Sequence, residues 1–109
     1  MRNIPDVALT ADYIWVNYGD GTNGSFMGTS SAAPLWAGFT ALVNEQAVTE
    51  GLPPVGFLNP ALYAIGQSTL YTNAFHDTTV GSNAWSLSQD NYFAAPGYDL
   101  CTGWGTLNG

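Results

Sequence analysis

Apolar side chains recur at Ala32, Leu35, Trp36, Phe39, Leu42, Val43 and Ala47, the stripe of an α-helix. Ala33, Ala37, Gly38 and Ala41 lie close to that stripe, so the segment is hydrophobic around most of its circumference. Asn44, Glu45, Thr49 and Glu50 supply much of its wet side, near its end. Gly51 is placed to stop the helix, and Pro53-Pro54 bars its continuation. A helix apolar on nearly every side has to be covered by other structure. The 109 residues of this chain offer little to cover it.

What precedes the helix is Phe26-Met27-Gly28-Thr29-Ser30-Ser31-Ala32-Ala33-Pro34. A serine here follows a glycine-bearing turn and opens the helix. Helix N-termini carry unpaired N–H groups and a partial positive charge, which can stabilise an acyl oxygen as it gains negative charge. Gly28 permits close approach of a substrate backbone. Pro34 is expected in the first turn, where a missing N–H costs least. From these residues alone two readings stand: Ser30 as a nucleophile, or Ser30 as an N-cap.

Length and composition narrow the classes. The chain is enough for one small domain. It is 46% hydrophobic and 14% aromatic, so it can bury a core and is not composed like a disordered segment. Charged residues are only 8%, against about a quarter in ordinary domains, which suits a protein working in acid or a part of a larger one. The net charge of −7, with one arginine and no lysine, speaks against nucleic acid and against an anionic membrane surface as partners. No apolar run reaches membrane-spanning length, and the first residues have no signal-peptide pattern. Cys101 is the sole cysteine and reads as a packed thiol.

Tyr13 to Tyr18 is β-branched and aromatic and predicts a strand; Gly19 to Gly24 predicts a turn, and Ser25 to Gly28 a short return to Ser30. Asn59-Pro60-Ala61-Leu62-Tyr63-Ala64-Ile65-Gly66 predicts a short helix capped by Asn59 and ended by Gly66. From Gln67 onward the chain is loop-rich. Within those loops Asp77 and Asp99 each sit among glycines and threonines. Two carboxylates with carbonyls from tight turns can hold a hard cation, although such aspartates also serve simply as turn residues. His76, the only histidine, lies beside Phe75 and reads as structural. Glu45 and Glu50 read as a solvated helix end, and Asp6, Asp12, Asp20 and Asp90 show no evident partner.

Four motifs in order resemble the C-terminal part of a sedolisin-type (serine-carboxyl) peptidase. They are Arg2-Asn3-Ile4-Pro5-Asp6-Val7-Ala8; Gly28-Thr29-Ser30 followed by Ala33-Pro34-Leu35-Trp36-Ala37-Gly38; Gly56-Phe57-Leu58-Asn59-Pro60-Ala61-Leu62-Tyr63; and the tail Phe75-His76-Asp77-Thr78-Thr79-Val80-Gly81, Ala95-Pro96-Gly97-Tyr98-Asp99 and Thr102-Gly103-Trp104-Gly105-Thr106. The resemblance covers nearly the whole chain. It implies an α/β fold, the C-terminal portion of a subtilisin-like parallel sheet flanked by helices with a loop-rich calcium-binding tail. Residues 1–109 are then a partial peptidase domain. The implied nucleophile is Ser30. The implied glutamate base, its orienting aspartate and an oxyanion-site aspartate belong upstream, in the missing N-terminal part of the same catalytic domain. Carboxylates that share protons imply work at acidic pH.

The resemblance also implies one calcium ion, held by the side chains of Asp77 and Asp99 and the carbonyls of Thr78, Ala95 and Gly97. Ala95 stands where that family commonly has glycine, and Tyr98 where it usually has tryptophan. A peptide or protein substrate and a secreted location or acidic compartment follow by the same resemblance. Taken alone, the chain is expected to be inactive. Two other readings compete: a subtilisin-like Ser-His-Asp protease fragment, and a noncatalytic calcium-stabilised interaction module.

Overall fold

A hairpin leads directly into the long helix. In the computed structural model, which describes residues 2–89 and 92–108, strand β1 (Ile14–Tyr18) pairs antiparallel with β2 (Thr22–Phe26), Ile14 opposite Phe26 and Tyr18 opposite Thr22. The loop is shorter than the turn composition predicts, because Thr22, Asn23 and Gly24 pair with β1. Ladder hydrogen bonds outweigh the weak strand preference of Asn23 and Gly24. The Tyr18 and Phe26 rings meet edge to face at 5.6 Å over one face of the ribbon.

Helix α1 spans Thr29–Thr49, starting three residues before the apolar stripe. Pro34 is therefore its sixth residue and not in the first turn, and is accommodated inside the helix. A proline there removes the bond that Ser30's carbonyl would receive from position 34. At the other end Gly51 adopts φ 73°, its N–H donating to the Val48 carbonyl at 3.0 Å, while the Leu52 N–H donates to Ala47 at 2.8 Å. This double bond pattern is a Schellman termination, and it needs a left-handed residue where Gly51 stands. No α1 residue is fully buried; Leu35, Leu42 and Val48 are exposed, whereas Trp36, Phe39, Val43 and Ala47 are half-buried.

The chain divides into two compact units, Leu9–Gly56 just described and a second formed by Met1–Ala8 with Phe57–Gly109. The second contains α2 (Asn59–Gly66), α3 (Tyr71–Ala74) and the strand pair β3 (Phe75–His76) and β4 (Thr106–Leu107), antiparallel with Phe75 opposite Leu107. Its core is aromatic. Phe75 and Trp104 are buried, and the rings of Tyr63, Tyr71 and Tyr98 surround Trp104 at centroid distances of 5.8, 5.6 and 5.3 Å. Each such pair adds about 0.5–1.5 kcal/mol beyond the area it buries.

The segment ahead of Leu9 is stitched to this core by its backbone. Trp104 N–H donates to the Asp6 carbonyl at 3.0 Å and Ala8 N–H to the Gly105 carbonyl at 2.9 Å. Asp6 is partnered after all: its carboxylate accepts the Tyr63 hydroxyl at 3.0 Å and pairs with Arg2. The α2 cap also differs from expectation. Leu58 is the N-cap with no side-chain bond, and Pro60 lies within the first two helical positions. Asp90 lies outside the described residues.

The α/β character is present, but the strands named among the described residues form only two-stranded antiparallel ribbons. Arg2 to Ala8 forms no strand. Parallel pairing joins strands through long crossovers, and no such strand partner occurs among the described residues. No helix among them is long and apolar enough to cross a membrane.

Candidate functional site

Ser30 is the second residue of α1 and is exposed. Gly28, not Ser30, is the N-cap, and no side-chain hydrogen bond caps the helix. The capping reading of Ser30 thus loses its structural basis, and the hydroxyl stands in the first turn beside the orphan N–H groups. Gly28 is required for a reason more specific than substrate approach. Its φ of 129° with ψ 158° lies in a region essentially confined to glycine. Its N–H donates to the Ala11 carbonyl at 2.7 Å, and its own carbonyl accepts the Ser31 N–H at 2.9 Å. The turn ahead of Ser30 is therefore fixed from both sides by backbone bonds.

The other five candidate residues come together in the second unit. Asp77 follows β3 directly, and its Oδ2 accepts the Gly97 N–H at 2.8 Å. Asp99 Oδ2 accepts the Ala95 N–H at 2.9 Å, so both aspartates grip the same turn. Asp99 Oδ1 accepts the N–H groups of Cys101 at 2.9 Å and Thr102 at 2.6 Å, with the Thr102 hydroxyl at 3.2 Å. Burial of Asp99, only 7% exposed, works to raise its pKa. The donors from Ala95, Thr102 and Cys101 outweigh it and hold the carboxyl below the usual range.

One atom in this cluster lacks a partner: Asp77 Oδ1 is buried and accepts no hydrogen bond. The carbonyls of Thr78, Ala95 and Gly97 accept no backbone bond from the described residues. A buried bare carboxylate oxygen is costly unless something positive meets it. The donors available are all oxygens, as a hard cation prefers. No group of three or more His, Cys, Asp or Glu side chains able to hold a metal occurs among the described residues, so carbonyls would have to complete the shell.

The remaining reactive side chains give less. Cys101 is half-buried, and burial followed by the Asp99 charge pushes its thiol pKa up, away from thiolate chemistry. His76 is exposed on β3 opposite Thr106, and Glu45 and Glu50 are exposed on α1. Tyr71 is a contributor that composition did not reveal: its hydroxyl donates to the Trp104 carbonyl at 3.2 Å, and burial, followed by Asp77, pushes its pKa up to about 12. Asp12, apparently unpaired in the sequence, accepts the Tyr13 N–H at 2.8 Å. An aspartate before a strand hints at such a turn, but nothing in the sequence marks Tyr13 as its left-handed residue.

No family model matches the chain. Individual proteins do. It is 37% identical over 111 residues to tripeptidyl-peptidase 1 of Bos taurus and 36% to that of Homo sapiens, each match covering 98% of this chain and 19% of the relative. It is 39% identical over 107 residues to tripeptidyl-peptidase sed1 of Aspergillus fumigatus, covering 98% of this chain and 15% of that protein. The chain thus spans less than a fifth of the length of the relatives it matches.

Proposed function

We propose that this chain, a homologue over nearly its whole length of a segment of sedolisin-type tripeptidyl-peptidases, is the nucleophile-bearing C-terminal part of such a peptidase's catalytic domain. The carrying observation is Ser30, exposed in the first turn of α1 after a turn whose backbone conformation strongly favours glycine. Its hydroxyl oxygen attacks the scissile carbonyl, its proton passing to a carboxylate base upstream of this segment. The free N–H groups of the first turn offer hydrogen bonds to developing negative charge. The base and its partners are a glutamate and aspartates in the part of the domain that precedes this chain. That part also supplies the parallel sheet and the cover for the apolar residues of α1. Coupled carboxylates set an acidic working range, which fits a secreted protein or an acidic compartment.

Calcium belongs to the same proposal. Asp77 and Asp99 side chains with the Thr78, Ala95 and Gly97 carbonyls would hold one ion, whose charge meets Asp77 Oδ1. Its role is to tie the two loops together, with no part in bond breaking.

The test uses the protein translated from the reading frame around this segment. It should cleave peptides at about pH 4, and Ser30→Ala should reduce kcat by at least about 10³-fold with folding intact. The 109-residue chain alone should show no cleavage. Unchanged hydrolysis in Ser30→Ala would rule Ser30 out as the nucleophile, and no hydrolysis by the wild-type protein would favour a noncatalytic module.

A further inference from the structure

We infer that Asp12 is a positioning residue for the Ser30 turn, acting through the backbone of its two neighbours; this rests on Ser30 being the nucleophile proposed above. The preceding residue, Ala11, accepts the Gly28 N–H at 2.7 Å, two positions before Ser30. The following residue, Tyr13, has φ 53°, the one non-glycine among the described residues with positive φ. L-residues other than asparagine, aspartate and histidine rarely enter that region. Burial of the Tyr13 ring gives nothing back, because the residue is 85% exposed. What holds the conformation is local: Asp12 Oδ1 accepts the Tyr13 N–H at 2.8 Å.

The turn decides where the nucleophile loop lands. After Tyr13 the chain enters β1 at Ile14, opposite Phe26, so Ala11 and Gly28 flank the ribbon's open end. Were Tyr13 to relax to negative φ, the Ala11 carbonyl would leave Gly28, and the glycine turn carrying Ser30 would lose its anchor. Asp12 touches no reacting atom; its hydrogen bond fixes the geometry of residues that set Ser30.

Three variants of the protein translated from the surrounding reading frame test this. Asp12→Ala should lower kcat about tenfold, as small misplacements of a reacting group do, with KM nearly unchanged, and should speed amide exchange at Gly28. Asp12→Asn should keep both at wild type, because an amide oxygen accepts the same N–H. Adding Tyr13→Gly to Asp12→Ala should restore both, since glycine takes positive φ without help. Wild-type kcat and Gly28 exchange in Asp12→Ala would overturn the inference. So would Asp12→Asn failing as badly as Asp12→Ala, which would assign the effect to charge. Failure of the nucleophile reading is separate: it shows as activity surviving Ser30→Ala, while Gly28 exchange still reports the turn.

Discussion

Gly66 and Trp104 pack so closely that a Cβ on Gly66 would stand 2.5 Å from Cε2 and 2.7 Å from Cε3 of the indole. Trp104 is only 7% exposed and ringed by three tyrosines, so it cannot retreat without disturbing the core of its unit. Gly66→Ala should therefore destabilise by about 1–3 kcal/mol through overpacking. Gly38, in the middle of α1 with nothing within 4 Å of an added Cβ, gives the opposite expectation. Gly38→Ala should stabilise by about 0.5–1 kcal/mol through lost unfolded-state freedom. Urea unfolding followed by tryptophan fluorescence measures both, and equal shifts would contradict the packing.

Calcium should raise the melting temperature by binding the native state, and the two aspartates should differ in how they respond. Asp77→Ala removes the buried oxygen that has no partner but strands the one N–H of Gly97 that Oδ2 accepts, so it should abolish the calcium response at a smaller cost to the calcium-free protein than Asp99→Ala. Asp99→Ala should abolish the response and also strand the N–H groups of Ala95, Cys101 and Thr102. Each stranded buried donor costs about 1–3 kcal/mol. Melting curves with calcium and with chelator decide it; a calcium shift that survives Asp99→Ala rules the site out.

The pH dependence has an alkaline arm. Burial raises the pKa of Tyr63, aided by Tyr98 and Asp6, and raises Tyr71 to about 12 from an ordinary 10.0. A raised folded-state value means that the fold favours the neutral phenol. That contribution is complete below pH 10.0 and falls away as pH rises toward 12. An acid arm comes from Asp99, whose folded value is lowered. Its contribution is present above the ordinary 3.8 and is lost as pH falls through the folded value. In calcium-free denaturant titrations, Tyr71→Phe should flatten the loss between pH 10 and 12, and an unaltered slope would contradict the assignment.

Gly28→Ala tests the nucleophile turn. Space is not the obstacle, because the nearest atom to an added Cβ is the Ser30 nitrogen at 3.9 Å. The obstacle is φ 129°, which costs an L-residue about 1–3 kcal/mol. Stability should drop by that amount, and kcat for peptide cleavage should fall with it. A variant of wild-type stability would show that this turn relaxes freely.

Local chemistry by itself determined much of this protein. Periodicity identifies α1, Gly51 its end and the aromatic run a strand, while the ordered motifs carry only a resemblance to sedolisin-type peptidases that marks Ser30, Asp77 and Asp99 as the residues to watch. These are legible because helix and turn preferences act within a few residues. Tertiary structure alone decided the rest. It put Pro34 inside the helix, drew Thr22 to Gly24 into the ribbon, gave Asp6 its partner, and brought the two aspartates onto one turn while leaving Asp77 Oδ1 bare. These outcomes depend on which backbone donors and carbonyls meet across the fold. The Tyr63 hydroxyl reaches Asp6 from 57 residues away, a distance over which no local preference carries information.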